Sequence, residues 1–219
     1  ALLREFALRD KPILLSTGLS SMDEVLDTVD YVQSINAHYK DPDMLCILQC
    51  TSMYPINDSD ANLLVMDSIK SRTNLSVGYS DHTIGSMALT TAAAMGASVL
   101  EFHFTDSREG KIFRDHQVSL TVDEVLALKA NILQIRVLKG SGIKSPQLIE
   151  LENRHEISFR RGVYPKRSIY KDEIIKREDL ILLRPAHGTD AREIDLVIGS
   201  KALKDLEVHV AIEHNIDYL

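Results

Sequence analysis

Cysteine is scarce in this sequence of 219 residues, and the two that occur, Cys46 and Cys50, lie in one short apolar segment. That segment predicts a β-strand, which rises about 3.3 Å per residue, so their Cα atoms would lie roughly 13 Å apart. A disulfide requires a much shorter separation. We therefore expect no disulfide and two buried thiols in a reducing compartment.

Long hydrophobic runs and an excess of positive charge are also missing. No run of 18 apolar residues occurs, and residues 1–6 lack the features of a signal peptide. Lys plus Arg number 25 against 32 Asp plus Glu, a net charge of -7 that argues against nucleic acid or a membrane as partner. With 44% hydrophobic residues and a mean hydropathy of -0.08, the sequence predicts a folded cytoplasmic protein.

Short apolar runs alternate with longer amphipathic stretches between residues 11 and 139. This alternation is typical of consecutive βα units around a parallel sheet. Each predicted strand is mostly apolar and ends in polar residues, as expected when both faces of a parallel strand are covered. The four predicted strands span residues 12–16, 45–51, 76–80 and 98–104.

Helix start signals agree with this organisation. Ser21 with Glu24, and Thr121 with Glu124, have the spacing of a capping box, in which the two side chains satisfy each other's backbone amides. A cap at residue 58 or 59 is expected to begin the second helix. We expect each helix to turn its apolar stripe toward the sheet.

The pattern changes after Lys139, where glycine, serine and proline interrupt it. We predict a βα domain over residues 1–140, a linker over 141–158 and a small β-rich domain over 159–219. The last region holds 11 Lys plus Arg and 11 Asp plus Glu, so the net negative charge belongs to the residues before it.

The predicted fold class is α/β, the C-terminal half of a (β/α)8 TIM barrel followed by the small β-rich domain. Four parallel strands alone would leave two long edges unpaired. Either residues upstream of Ala1 supply the other half, or two copies close one barrel. The chain starts without an initiator Met inside a helical pattern, which favours the first alternative.

Ligands bind at the carboxyl ends of the strands in such folds. His82 and His103 end adjacent predicted strands, which lie about 4.8 Å apart, so their imidazoles can share one divalent metal ion such as Mn, Fe, Co or Zn. That ion would act as a Lewis acid on a carbonyl. The alternative is that each histidine is a hydrogen-bonded strand end without a metal.

Other polar residues stand beside this pair. Glu101 lies two residues before His103 and therefore on the same face of the strand. It could act as a base, as a hydrogen-bond partner of the histidine, or as one half of a salt bridge inside the barrel. Asp81 either caps the next helix or takes part in catalysis. The Ser-Thr-Gly of residues 16–18 can bind an anion. The charged loop 106–119 is either a solvated lid or a substrate-contacting one.

Six motifs occur in order along nearly the whole chain. They are Lys11-Pro-Ile-Leu-Leu-Ser-Thr-Gly18, Cys50-Thr-Ser-Met-Tyr-Pro55, Gly78-Tyr-Ser-Asp-His-Thr83, Glu101-Phe-His-Phe-Thr105, Asp115-His116 with Ser119-Leu120, and Arg184-Pro185 with Gly188. In these motifs the sequence resembles the sialic acid (N-acetylneuraminate) synthases and their legionaminate and pseudaminate relatives.

The resemblance implies a (β/α)8 barrel joined to a small antifreeze-like (SAF, β-clip) domain, in a domain-swapped homodimer. It also implies a phosphoenolpyruvate-dependent transferase. Such enzymes condense phosphoenolpyruvate with an N-acetylated hexosamine, such as N-acetylmannosamine, to a nine-carbon 2-keto acid plus phosphate. The N-terminal half of the family's barrel, which carries a phosphoenolpyruvate-binding lysine, is not in this sequence, so we expect the chain alone to be inactive.

The family's site residues carry over motif by motif. His82 and His103 would bind Mn2+ or Mg2+ and take part in catalysis. Ser16 and Ser80 would lie beside phosphoenolpyruvate. Ser52 stands where some members have Asn and would contact phosphate or sugar.

The resemblance places the sugar against different residues. Tyr54 would line its pocket, Asp115 would contact it, and Arg184 would reach from the partner's C-terminal domain to its acetamido end. We add Glu101 as the group that handles a proton or orients water. Ile56-Asn57 and Ala186-His187 depart from the family pattern, and we expect them to alter the sugar pocket.

Two other functions remain open. A metal-dependent aldolase or isomerase barrel would keep His82 and His103 but leave the C-terminal domain without a role. A non-catalytic sugar-binding or dimerisation fragment would bind sugar without turnover.

Overall fold

The computed structural model describes all residues from 1 to 219 and divides them into two compact units, Ala1–Gly142 and Ile143–Leu219. The first unit consists of four strands and six helices. In chain order they are α1 (Leu2–Ala7), β1 (Ile13–Ser16), α2 (Met22–Ile35), β2 (Leu45–Cys50), α3 (Val65–Thr73), β3 (Ser76–Asp81), α4 (Met87–Met95), β4 (Val99–Phe102), α5 (Asp115–Val118) and α6 (Val122–Lys139).

The four strands form one parallel sheet in the order β1-β2-β3-β4. The predicted strands are all present, with small differences at their ends. In the register, Leu48 pairs with Ser16 on one side and Gly78 on the other, and Ser80 pairs with Cys50 and Glu101. Because the strands run parallel, their carboxyl ends lie along one edge of the sheet.

The core lies between one face of the sheet and the helices. Successive residues of a strand point to opposite faces, and the core includes alternate residues of β2 and β3. Ile47 and Tyr79 are fully buried there. The helices contribute the predicted apolar stripes, which include Val25, Val29 and Val32 of α2, Met66 and Ile69 of α3, and Leu128 of α6.

Two helices begin where the sequence predicts, and a third does not. The capping boxes of Ser21 with Glu24 and Thr121 with Glu124 are both formed, so these predictions are confirmed. The cap predicted at residue 58 or 59 is wrong, because residues 58–60 form only a 3-10 turn. Asn62 has a φ of 45°, in the left-handed region, which interrupts the helical path, so α3 begins only at Val65.

The second unit has a smaller core and few regular elements. These are α7 (Leu148–Glu152), α8 (His155–Ser158), β5 (Gly162–Pro165), β6 (Leu180–Leu183) and α9 (Ile194–Val197). β5 and β6 pair antiparallel, and isolated bridges join further segments, for example Ile169 to Leu206. Residues 141–158, interpreted from sequence as a linker, contain the two short helices α7 and α8.

Both cysteines are free thiols. Cys46 is buried and Cys50 is half-buried, and burial raises the pKa of Cys46 to about 11. No helix combines the length and the apolar character that crossing a membrane requires.

Candidate active site

Two histidines stand at the carboxyl edge of the sheet. His82 follows β3 directly, His103 follows β4, and the register places Asp81 beside Phe102. The centres of the two imidazole rings are 5.3 Å apart, in an edge-to-face arrangement. The predicted proximity of the two side chains is therefore present.

The proton of His82 is held by a backbone group. Nδ1 of His82 lies 2.7 Å from the carbonyl oxygen of Thr51. A carbonyl can only accept a hydrogen bond, so Nδ1 carries the proton and Nε2 of the neutral ring keeps its lone pair. His82 is 5% exposed, and its Nε2 has no hydrogen-bond partner. This nitrogen is available as a ligand.

Tyr54 packs against both histidines. Its ring centre lies 4.0 Å from that of His82 and 5.4 Å from that of His103. The guanidinium carbon of Arg114 lies 4.9 Å from the same ring centre, within the range of a cation–π interaction. Tyr54 thus contacts both histidines and, through Arg114, the loop that follows β4.

That loop brings Asp115 to the histidines. Oδ2 of Asp115 lies 3.8 Å from Nδ1 of His103, and Oδ1 lies 3.6 Å from Nε of Arg114. The loop, predicted from sequence as either a solvated or a substrate-contacting lid, therefore places the Asp115 carboxylate beside His103. His116 instead lies 3.0 Å from the hydroxyl of Thr105 and stays within the loop.

The inner face of the sheet carries Ser16 and Glu101. The Ser16 hydroxyl donates a hydrogen bond of 3.0 Å to Oε2 of Glu101, joining the two edge strands β1 and β4. This contact requires a sheet that curls, as in part of a barrel. Ser80, which pairs with Glu101 in the register, is buried, whereas Ser16 and Glu101 are exposed. Neither residue of the exposed pair forms a hydrogen bond or an ion pair with a basic side chain.

Ser52 lies against the loop after β1. A Cβ placed on Gly18 would come 1.9 Å from the Ser52 hydroxyl oxygen and 3.5 Å from the Cys50 sulfur. Only glycine permits this approach, which brings the Ser-Thr-Gly loop next to the motif after β2.

Asp81 does not cap a helix, the first of its two predicted roles. It is buried, and it accepts hydrogen bonds from the Tyr79 hydroxyl at 3.1 Å and from the Thr83 amide and hydroxyl at 2.9 and 3.1 Å. The helix cap was wrong because α4 begins only at Met87. Burial and the Asp81 charge raise the pKa of Tyr79, which keeps its hydroxyl a donor.

Sequence reasoning missed two contributors to this site. The Thr51 carbonyl orients His82, and no side-chain pattern signals a backbone partner. Arg114 was visible only as one of several charges in the loop, and its place on Tyr54 depends on the folded loop.

The donor chemistry fits a divalent cation with an open coordination sphere. No group of three or more His, Cys, Asp and Glu side chains is arranged to hold a metal. The oriented Nε2 of His82 and the adjacent His103 ring supply two nitrogen donors, and a backbone-anchored imidazole is typical of metal ligands.

Arg184 belongs to the second unit. It follows β6, and its guanidinium carbon lies 5.8 Å from the ring centre of Phe159. Its peptide bond to Pro185 is cis, as is that between Tyr54 and Pro55.

The NeuB family model matches residues 1–144, more than half of the chain. The chain belongs to the NeuB family. A SAF domain model matches residues 160–212 of this NeuB protein. The resemblance to the sialic acid synthase group is therefore confirmed.

Similar proteins cover the chain almost entirely. The N,N'-diacetyllegionaminic acid synthase of Legionella pneumophila is 37% identical over 206 residues, which are 93% of this chain and 56% of that protein. A pseudaminic acid synthase of Campylobacter jejuni is 32% identical over 97% of this chain and 59% of its own length. The NeuB chain thus spans somewhat more than half the length of these relatives.

A solved structure is similar in fold. The N-acetylneuraminic acid synthetase of Leptospira borgpetersenii, crystallised with citrate, matches with a TM-score of 0.61 and 32% identity, over 70% of this chain and 52% of its own. The predicted fold class, the C-terminal half of a TIM barrel followed by a SAF domain, is confirmed.

Proposed function

We propose that the full-length protein is a nonulosonic acid synthase. It would condense phosphoenolpyruvate with an N-acetylated aldose such as N-acetylmannosamine, giving a nine-carbon 2-keto acid and phosphate. The observation that carries the proposal is the cluster of His82, Tyr54, His103 and Asp115 at the carboxyl end of β3 and β4. The names of the relatives support the same reaction class.

The proposed reaction forms one bond between carbons and breaks one bond to phosphate. C3 of phosphoenolpyruvate attacks the aldehyde carbon of the open-chain sugar, and the aldehyde oxygen takes up a proton. Water adds its oxygen at C2 and loses a proton. The C2–O bond to phosphate then breaks, and the new C2 hydroxyl loses its proton to become the keto group.

His82 and His103 would hold Mn2+ or Mg2+ through their ring nitrogens. When bound, the cation would polarise the aldehyde carbonyl. Glu101 would take the proton from the attacking water, because its carboxylate is exposed on the inner face and is oriented by the Ser16 hydroxyl. Ser16 and Ser80 would lie beside phosphoenolpyruvate.

The sugar would contact Tyr54, Asp115 and Ser52 of one protomer. Arg184 of a second copy would complete the site at the acetamido end, in a domain-swapped homodimer. In this arrangement Tyr54 presents its ring as an apolar wall, and Asp115 accepts hydrogen bonds from sugar hydroxyls.

The deciding experiment measures phosphate release by the full-length protein with Mn2+, phosphoenolpyruvate and a panel of N-acetylated hexosamines, each free and as its phosphate monoester. We expect release that depends on one aldose. His103→Ala should lower it at least about 100-fold, because carbonyl polarisation is worth several kcal/mol. His38→Ala is the matched control, since His38 pairs with Asp10 at the surface.

Absence of release with every aldose, from folded and metal-loaded protein, would refute the synthase. Sugar binding without turnover would then favour the binding fragment, and retro-aldol cleavage of a keto acid would favour the aldolase barrel.

Mixing two inactive variants tests the shared site. If Arg184 acts in the partner's site, His103→Ala mixed with Arg184→Ala should recover about a quarter of the native sites, because each mixed dimer contains one intact site. If both residues serve the same protomer, mixing recovers nothing and the domain-swapped arrangement is wrong.

A further inference from the structure

Three cations of the loop between β4 and α5 differ in their contacts. Arg108 donates two hydrogen bonds to the Ser119 carbonyl, at 3.1 and 2.8 Å, and one to Glu124 at 2.5 Å. Lys111 pairs with Asp106. These two side chains therefore hold the loop together.

Arg114 has no such role. It makes no hydrogen bond, its side chain is 64% exposed, and its nearest carboxylate oxygen, on Asp115, is 3.6 Å from Nε. Its guanidinium lies over the Tyr54 ring. The N–H donors of Arg114 thus make no hydrogen bond, although the Tyr54 ring and the Asp115 carboxylate keep the group beside the site.

A guanidinium held on an aromatic ring is suited to bind an anion. Its planar donors match two oxygens of a phosphate or a carboxylate at once. Because the ring restrains the side chain, less conformational entropy is lost when a ligand binds. The ligand would be an oxyanion that reaches the mouth of the site.

The neighbours of Arg114 indicate which substrate carries that oxyanion. Tyr54 and Asp115 are the proposed sugar contacts, and Arg114 touches both. On the proposed phosphoenolpyruvate side, Ser16 and Glu101 form no hydrogen bond or ion pair with a basic side chain of this unit.

We propose that Arg114 binds an anionic substituent, a phosphate monoester or a carboxylate, on the acceptor sugar. This proposal rests on the proposed synthase function and makes Arg114 a specificity-determining residue. The site would then prefer an acidic N-acetylated aldose to its neutral counterpart.

The experiment compares KM values of the full-length protein for a neutral N-acetylhexosamine, its 6-phosphate and the corresponding uronic acid. Arg114→Gln should raise KM for the preferred acidic sugar at least about tenfold, as expected for a charged hydrogen bond. KM for phosphoenolpyruvate and kcat should change less than about twofold. Arg114→Lys should recover only part of the affinity, because a point charge replaces the planar fork.

Arg72→Gln is the matched control, because it removes the same charge from the exposed end of α3. Three kinetic results would overturn the proposal. Equal KM values of the native protein for neutral and acidic sugars would contradict it. An Arg114→Gln effect on KM for phosphoenolpyruvate alone assigns Arg114 to the other substrate. An equal loss for neutral and acidic sugars assigns it to the sugar ring.

A direct binding measurement tests the role of Arg114 independently of the proposed synthase activity. Calorimetric titration of the protein with the acidic sugar, without phosphoenolpyruvate, should show weaker binding by Arg114→Gln even if no phosphate is ever released. Turnover of neutral sugars only, with no binding of acidic ones, would leave the synthase standing and refute the role of Arg114.

Discussion

The two faces of the parallel sheet in residues 1–142 are made by the same four strands and differ in what covers their edge strands. The outer face buries Ile47 and Tyr79 against the helices, whereas the inner face buries Leu48 at its centre and exposes Leu14, Ser16 and Glu101 on its two edge strands. Alternation along each strand assigns neighbours in sequence to opposite faces. Burial of the outer face stabilises the unit, and the polar end of the inner face remains open to a ligand.

The charged residues of the second unit contrast with that inner face. Arg167 donates hydrogen bonds to Glu173 and Asp179, and it lowers the pKa of Glu173. Asp190 is similarly paired with Arg192, which lowers its pKa to about 2. These charges stabilise one another through hydrogen bonds, whereas Nε2 of His82 accepts no hydrogen bond and the Arg114 side chain donates none, its nearest carboxylate oxygen lying 3.6 Å from Nε.

The largest expected effect tests the outer face. Ile47→Ala should lower the free energy of unfolding by about 2–5 kcal/mol, because Ile47 is fully buried in β2. Leu14→Ala on the inner face should cost less than about 1 kcal/mol, because Leu14 is 58% exposed. Native-state hydrogen exchange of the β2 and β3 amides measures both. Equal costs would show that the inner face is packed as tightly as the outer one.

A second prediction concerns the inner face near Gly78. A Cβ there would lie 2.4 Å from Cδ2 of Leu48 and 2.5 Å from the Val99 carbonyl oxygen. Gly78→Ala should therefore cost about 1–3 kcal/mol through overpacking. Leu48→Val in the same chain should restore part of the loss, since it relieves the side-chain clash but not the backbone one. A neutral Gly78→Ala variant would contradict this close packing.

The smallest effect is a pH dependence. Burial raises the pKa of Cys46 from 9.0 to about 11, so the folded state keeps a proton that the unfolded state loses above about pH 9. The stabilisation is fully present below pH 9 and is lost as the pH rises to about 11. In both Cys46→Ser and Cys46→Ala, the free energy of unfolding measured by urea denaturation should fall less steeply with pH in this window. An unchanged slope in both variants would mean that Cys46 does not titrate there.

Local patterns predicted much of the fold. The four strands, the two capping boxes and the apolar helix stripes depend on residues close in sequence, and the structure contains them. The start of α3 was not predicted, because the left-handed Asn62 that delays it has no strong sequence signal. The helices at residues 148–158 lack a long amphipathic period, so the segment was interpreted as a linker.

The sequence predicted which residues lie at the candidate site better than it predicted the contacts between them. The proximity of His82 and His103 follows from the ends of adjacent parallel strands. The opposite orientation of Asp81 follows from alternation, but its partners Tyr79 and Thr83 do not. The Ser16–Glu101 hydrogen bond joins the two edge strands and depends on the curl of the whole sheet.

The sequence by itself determined the βα order, the alternation of faces and the residues at the strand ends, because these depend on local propensity and on a period of two or 3.6 residues. Only the tertiary structure decided the protonated nitrogen of His82, the stacking of Arg114 on Tyr54 and the pairing of Ser16 with Glu101. These contacts join residues 31 to 85 positions apart. Such contacts exist only after the strands have paired and the loops have closed over their ends, and no local pattern encodes that geometry.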